Sequence, residues 1–207
     1  MLGSVGRRYS VALLRPVVVL LNTFKVSCDA LSLIGLFWAV AAGFFFAKGN
    51  LLAGGLLIIV SGIFDLMDGE LARFSHKETR FGAFLDSSLD RYGDAAILCG
   101  IIYHFRFSSI YLVLGLATLV GAFLTSYTRA RAEAFIDKCS VGLIERPERL
   151  ILIILGGLFQ GMEWVLWLLA ILGNLTVIQR IIYIKKAFSS QRSENSSQRS
   201  VNKNNNN

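Results

Sequence analysis

Long apolar runs separated by short polar connections dominate the sequence. Six such runs, over residues 27–50, 51–73, 82–103, 108–134, 147–160 and 163–185, are close to the roughly 20 residues that an α-helix needs to cross a bilayer. Ser27 or Asp29 can cap the first of these helices, and Pro147 suits the first turn of the fifth. The pattern therefore predicts an all-α integral membrane protein with six transmembrane helices, over residues 27–187.

The two ends of the chain differ from the apolar runs. Residues 1–26 alternate apolar side chains with Arg7, Arg8 and Arg15, which predicts an amphipathic, interfacial juxtamembrane helix on the membrane surface. Residues 188–207 consist mostly of Ser, Gln, Arg and Asn. We expect this polar tail to be disordered, because it offers no apolar face that could join a core.

The composition excludes an ordinary soluble domain. Hydrophobic residues make up 54% of the chain and charged residues only 17%, against about a quarter in soluble proteins, and the mean hydropathy is +0.57. The net charge is +7, but the basic residues lie in short connections between apolar runs. We therefore expect membrane lipids rather than nucleic acid as partners.

The distribution of these basic residues predicts an orientation. Six spans put both termini on one side, and the loops and ends on that side carry nearly all the Lys and Arg residues. The opposite side offers only Lys48 and Arg106. By the positive-inside rule, both termini lie on the cytoplasmic side of the cell membrane.

Acidic residues inside the predicted spans indicate a functional site, since ionisable groups in a membrane helix are costly. Asp65 and Asp68 share one helix face, and Asp86 and Asp90 share a face of the next helix. A helical hairpin can point all four at one spot at the cytoplasmic end, where they would repel each other unless cations neutralised them. Hard oxygen ligands suit Mg²⁺ or Mn²⁺, and two such ions commonly serve displacement at phosphorus.

These residues form a pattern that resembles the signature of the CDP-alcohol phosphotransferase family. Residues 65–90 match D-x-x-D-G-x-x-A-R, eight residues, then G-x-x-x-D-x-x-x-D at every fixed position. Family members are six-helix membrane enzymes, commonly homodimers, that use Mg²⁺ or Mn²⁺. They transfer a substituted phosphate from a CDP-linked lipid to an alcohol and release CMP. The resemblance implies the same fold, metals, assembly and reaction for this chain.

The resemblance also implies roles for single residues. Asp65, Asp68 and Asp86 would be ligands of a two-ion site, and Asp90 would be both a ligand and the general base. The residues implied to bind the CDP-lipid donor are Asp29, Ala30, Asp65, Asp68, Gly69, Ala72, Arg73, Thr79 and Gly82.

Three further segments are similar to phosphatidylinositol phosphate synthases. Residues 85–91 read LDSSLDR, residues 126–133 read SYTRARAE, and residues 145–150 read ERPERL. The similarity implies inositol 1-phosphate as acceptor, with its phosphate bound by Arg129, Arg146, Arg149 and Arg180. Archaeal relatives share these motifs and use an ether-lipid donor, so both CDP-diacylglycerol and CDP-archaeol stay open.

Other functions remain alternatives at this point. A phosphatidylglycerophosphate synthase, or another CDP-alcohol phosphatidyltransferase, would share the signature and take a different acceptor. A cation transporter could use the same aspartates, although the outer half of the spans offers no acidic path. A third alternative is a scaffold or assembly subunit with a degenerate site. The intact signature argues against it, because a protein without activity would have been free to lose Asp90.

Overall fold

The structure, a computed structural model, describes residues 15–24, 26–75, 79–136, 139 and 141–205, with side chains up to residue 189. Helix α1 covers residues 15–23. It is followed by α2 (Cys28–Ala47), α3 (Leu51–Phe74), α4 (Arg80–His104), α5 (Ser109–Glu133), α6 (Arg146–Leu158) and α7 (Met162–Asn205). No strand occurs in these ranges, which confirms the predicted all-α fold.

Side-chain caps determine where the helices begin. Ser27 caps α2, because its hydroxyl accepts a hydrogen bond from the Ala30 N–H at 3.2 Å. Thr79 caps α4 in the same way, accepting from the Gly82 N–H at 2.9 Å. Each cap satisfies an amide that a helix N-terminus leaves unpaired. The Thr79 cap starts α4 at Arg80, two residues before the predicted start of the third span.

Four of the described helices are long and apolar enough to cross a membrane: α2, α3, α5 and the Met162–Ser189 part of α7. Helix α4 has sufficient length, but it carries several charged residues. Helix α6 has 13 residues and rises about 20 Å, less than the roughly 30 Å of a bilayer core. Membrane-spanning helices are thus supported by length and composition, whereas six complete spans stay a prediction.

The two ends of the chain lie partly outside the described residues. Residues 1–14 of the predicted amphipathic helix are outside them, and its interfacial position stays a prediction. The described part, α1, packs Val18 against Leu31, Met67 and Leu71. At the other end, α7 continues to Asn205, and residues 174–207 contain neither Gly nor Pro to end the helix. The disorder expected for residues 188–207 stays a prediction.

Glycines let the helices cross at backbone contact. A Cβ atom added at Gly100 of α4 would lie 2.0 Å from the carbonyl oxygen of Gly43 in α2. One added at Gly157 of α6 would lie 2.6 Å from the carbonyl oxygen of Leu51 in α3. Small residues at such crossings are typical of helices packed in membranes. Helix α2 contacts both α3 and α4, and α3 contacts α6. Arg146, the first residue of α6, contacts Asp65 of α3 and Asp90 of α4, so the acidic ends of α3 and α4 lie beside the start of α6.

We expect Gly100→Ala to lower the thermal unfolding temperature in detergent micelles. The added methyl group cannot fit against Gly43 unless α2 and α4 separate, and overpacking of this kind costs about 1–3 kcal/mol. Gly62→Ala on α3 is the control, because a Cβ atom there meets nothing within 4 Å. Gly62→Ala should leave the free energy of unfolding unchanged or raise it by about 0.5–1 kcal/mol. Equal unfolding temperatures for the two variants would contradict the close α2–α4 crossing.

Candidate active site

Three aspartates from two helices form the centre of the site. One carboxylate oxygen from each of Asp65, Asp86 and Asp90 lies within 4.8 Å of the other two. An octahedral Mg²⁺ ion with bond lengths of 2.0–2.1 Å places opposite ligands about 4 Å apart. Small side-chain adjustments would therefore let these oxygens share one ion. Both the ligand chemistry and the spacing of the cluster fit a hard divalent cation.

Asp68, predicted as a fourth ligand, does not belong to this group of three. It lines the same small cavity between α2, α3 and α4 as the other three aspartates. It is 7% exposed, and its Oδ2 accepts a hydrogen bond from the Ser32 hydroxyl of α2 at 2.5 Å. The Ser32 Oγ also lies 3.2 Å from the Cys28 carbonyl oxygen. Ser32 was not among the predicted site residues. Its signal in the sequence is its position three residues after Asp29, on the same helix face.

The carboxylates line an inner cavity that lies between two larger ones. The first, which we call the Gly69 cavity, has a volume of about 480 Å³ and shares Ser32, Asp68 and Asp86 with the inner cavity. The second, which we call the Arg129 cavity, has a volume of about 430 Å³ and shares Asp90 and Arg146 with it. Molecules in the two larger cavities would therefore meet at the carboxylates.

The Gly69 cavity brings together most of the residues predicted to bind a CDP-lipid. Those that line it are Asp29, Asp68, Gly69, Ala72, Arg73, Thr79 and Gly82. Of the other two, Asp65 lines the inner cavity, and Ala30 lines none of these three cavities. Arg73 is held at the wall by Glu70, whose Oε1 lies 2.6 Å from Arg73 Nη2.

The Arg129 cavity brings together three of the four predicted acceptor arginines, Arg129, Arg146 and Arg180. Two glutamates that were not predicted lie among them. Arg129 contacts Glu133 at 3.2 Å and Glu145 at 3.0 Å. Both glutamates lie within the two motif segments that contain Arg129 and Arg146, which is the signal that could have found them.

Arg180 differs from Arg129 because its side chain is buried, with 1% exposed. Its Nε donates to the Val141 carbonyl at 2.7 Å, and its Nη1 donates to the Thr125 carbonyl. Its Nη2 donates to Glu145 Oε1 at 2.7 Å. All three nitrogens are therefore engaged within the protein, and Arg180 fixes the segment before α6 against α5.

Arg146 joins the Arg129 cavity to the aspartate cluster. Its Nη2 lies 2.8 Å from Asp90 Oδ1, its Nη1 lies 3.5 Å from Asp65 Oδ2, and its Nε lies 3.4 Å from Asp94 Oδ1. Arg149 is placed differently: it is 4% exposed, contacts Asp94, and lines none of the three cavities. Arg149 therefore shares Asp94 with Arg146 but does not line the Arg129 cavity with the other three arginines.

The sequence is similar to known proteins of one family. The family described as CDP-alcohol phosphatidyltransferase matches residues 25–180. The chain is 39% identical over 169 residues to an archaetidylinositol phosphate synthase from Methanothermobacter thermautotrophicus, which covers 79% of this chain and 85% of that protein. It is 34% identical over 192 residues to a phosphatidylinositol phosphate synthase from Mycobacteroides abscessus, which covers 87% of each.

Solved structures of the phosphatidylinositol phosphate synthase from Mycobacterium tuberculosis share the fold. The crystal structure with CDP-DAG bound has a TM-score of 0.77 and 32% identity, and the match covers 82% of this chain and 92% of that one. The structure in complex with manganese and citrate has a TM-score of 0.76, with coverage of 82% and 87%. Since the family match extends over more than half of the sequence and its signature aspartates meet in one cavity, the chain belongs to the CDP-alcohol phosphatidyltransferase family.

Proposed function

We propose that this membrane transferase moves the phosphatidyl or archaetidyl group of a CDP-lipid to inositol 1-phosphate and releases CMP. The observation that carries the proposal is the position of the aspartates at the meeting point of the Gly69 and Arg129 cavities. A donor and an acceptor entering from the two cavities would meet there. The activities named for the relatives and the CDP-DAG in the similar structure support these substrate classes.

The aspartate cluster supports divalent-metal binding, as does the manganese in the similar structure. In our proposal Asp65, Asp68, Asp86 and Asp90 hold two ions, either Mg²⁺ or Mn²⁺. When bound, such ions stabilise the attacking and leaving oxygens of an in-line displacement at phosphorus. Asp68 completes the set from the side of the Gly69 cavity, where Ser32 orients its carboxylate.

The Gly69 cavity would hold the CDP part of the donor. Gly69 presents no side chain, so a nucleotide can approach the backbone of α3 closely. Arg73 supplies a cation for the diphosphate at the same wall, and Glu70 holds its guanidinium. Asp29 and Thr79 line the side formed by the starts of α2 and α4.

The Arg129 cavity would hold the phosphorylated acceptor. Arg129 and Arg146 line this cavity and would donate charge-assisted hydrogen bonds to the acceptor phosphate. Glu133 and Glu145 can accept hydrogen bonds from hydroxyl groups of a polyol. Arg180 would contribute indirectly, because its ion pair with Glu145 fixes that glutamate in the cavity wall. We do not assign the acceptor phosphate to Arg149, because its side chain contacts Asp94 instead.

Asp90 is the proposed general base. It lines both the inner cavity and the Arg129 cavity, and it is 2.8 Å from Arg146. An acceptor phosphate bound by Arg146 would therefore bring its hydroxyl group close to Asp90. The hydroxyl oxygen attacks the β-phosphorus of the CDP-lipid, its proton passes to Asp90, and the bond from that phosphorus to the CMP oxygen breaks.

We further propose that the site faces the cytoplasm and that the enzyme forms a homodimer. Arg73, Arg129 and Arg146 lie at the end of the bundle that carries the aspartates. The loops at the opposite end carry only Lys48 and Arg106 as basic residues. The excess of basic residues at the aspartate end supports a cytoplasmic site by the positive-inside rule. The homodimer rests on the family resemblance.

The acceptor assignment predicts a ranking of substrates. In an assay of CMP release from CDP-diacylglycerol and CDP-archaeol, inositol 1-phosphate should be the best acceptor, ahead of glycerol 3-phosphate, serine and free inositol. The reason is that Arg129 and Arg146 require a phosphate, and the two glutamates favour several hydroxyl groups. A preference for glycerol 3-phosphate would indicate a phosphatidylglycerophosphate synthase. Ion flux in proteoliposomes without CMP release would instead indicate a transporter.

The base assignment predicts the behaviour of Asp90→Asn. We expect kcat to fall by about 10²–10⁴-fold, the loss typical of removing a positioned base, while CDP-lipid binding is largely retained. Titration with Mg²⁺ separates this role from metal binding, because full recovery of kcat at high metal would mean that Asp90 is only a ligand. Glu163→Gln at the exposed start of α7 is the control for loss of one carboxylate charge, and it should match wild type.

The contact between Ser32 and Asp68 predicts a role in metal affinity. Ser32→Ala removes the hydroxyl that orients the carboxylate, and loss of such an outer contact typically weakens metal binding by about 10–100-fold. Isothermal titration with Mn²⁺ in detergent measures the change directly. Ser88→Ala is the matched control, since the Ser88 hydroxyl donates only to the carbonyl of Phe84 one turn earlier. Equal Mn²⁺ affinities in the two variants would remove Ser32 from the site.

A further inference from the structure

Asp94 is a buried carboxylate that lies outside the family signature and lines none of the three cavities. It follows Asp90 by one turn of α4 and is 4% exposed. A carboxylate buried to this degree is costly unless it is paired. Two arginines of α6 supply the pairing: Arg149 Nη2 donates to its Oδ2, and Arg146 Nε lies 3.4 Å from its Oδ1.

The contact with Arg146 has a consequence at the aspartate cluster. A guanidinium group is planar and rigid, so holding its Nε on one side sets the direction of its two terminal nitrogens. In Arg146 these terminal nitrogens lie 2.8 Å from Asp90 Oδ1 and 3.5 Å from Asp65 Oδ2. Asp94 therefore sets the plane in which Arg146 faces the cluster and the Arg129 cavity.

Arg149 holds Asp94 in this position. It follows Arg146 by three residues, close to one turn of α6, and it is as buried as Asp94, with 4% exposed. Its contact offsets the Asp94 charge and anchors the carboxylate between α4 and α6. Asp94 can then contact Arg146 through its other oxygen, Oδ1.

We infer that Asp94 is a positioning residue for the acceptor: anchored by Arg149, it orients the Arg146 guanidinium toward the acceptor phosphate. This inference rests on the proposed function, because it takes Arg146 as a ligand of that phosphate. It assigns to the buried Asp94–Arg149 pair a role in the reaction in addition to its contribution to folding.

Two variants separate positioning from stability. Asp94→Asn removes the charge that orients Arg146, but it also leaves Arg149 buried without a counter-charge and should lower the unfolding temperature. The double variant Asp94→Asn/Arg149→Gln removes both charges together and should recover the unfolding temperature. The KM for inositol 1-phosphate and the KM for the CDP-lipid are measured for both variants at saturating Mg²⁺.

In both variants we expect the KM for inositol 1-phosphate to rise on the order of 10-fold or more, as for a misplaced binding group, while the KM for the CDP-lipid stays close to wild type. Gly100→Ala is the control for destabilisation alone, since Gly100 lies in the α2–α4 crossing, and its two KM values should not separate. A double variant with the wild-type KM for inositol 1-phosphate would overturn the inference. Parallel rises in both KM values, or a double variant that cannot be purified folded, would also overturn it.

The wild-type assay distinguishes this inference from the proposed function. If wild type releases CMP without saturable dependence on inositol 1-phosphate, the proposed function fails. If wild type shows that dependence and both variants match it, only the role of Asp94 fails.

Discussion

The repulsion among the aspartates of α3 and α4 is the constraint on which the site depends. Three of their carboxylates meet within 4.8 Å, and Asp68 and Asp94 lie close by on the same two helices. Such a concentration of negative charge within a mainly apolar bundle requires cations. Arg146 and Arg149 at the start of α6 supply two of them from the protein itself. The position of α6 is therefore tied to the charge of the site.

The apolar parts of the fold make this concentration possible. Backbone contact at Gly43 and Gly100 brings α2 against α4, and the crossing at Gly157 brings α6 against α3. Residues such as Ile58, Leu98 and Ile153 fill the core between these helices. Because close packing fixes the helices, the charged side chains at their ends have few alternative positions. The same geometry leaves a cavity on each side of the carboxylates, which suits an enzyme that must keep two substrates apart until they react.

The arginines near the site carry the same charge but serve different purposes. Arg129 is partly exposed in its cavity, where its paired glutamates leave it accessible to a ligand. Arg180 and Arg149 are almost fully buried, and their hydrogen bonds go to the backbone and to acidic side chains. Arg146 is intermediate, since it contacts three aspartates and also lines the Arg129 cavity. Burial and partners, rather than residue type, distinguish the arginines that we propose as phosphate ligands from those that hold the fold together.

The sequence by itself determined the helices and the chemistry of the centre. Apolar runs predict α2 to α7 because a membrane helix must satisfy its own backbone and cover itself with apolar side chains. The spacing of Asp86 and Asp90 places both on one face of a helix, whatever the rest of the fold.

Only the tertiary structure decided which distant residues meet. Ser32 reaches Asp68, 36 positions along the chain, and Arg149 reaches Asp94 across 55 positions. These contacts depend on how α2 and α6 each pack against α3, and the angle and depth of a helix crossing depend on the side chains of both helices together. For that reason the sequence could list Arg149 and Arg180 among the phosphate ligands, while the fold buries both.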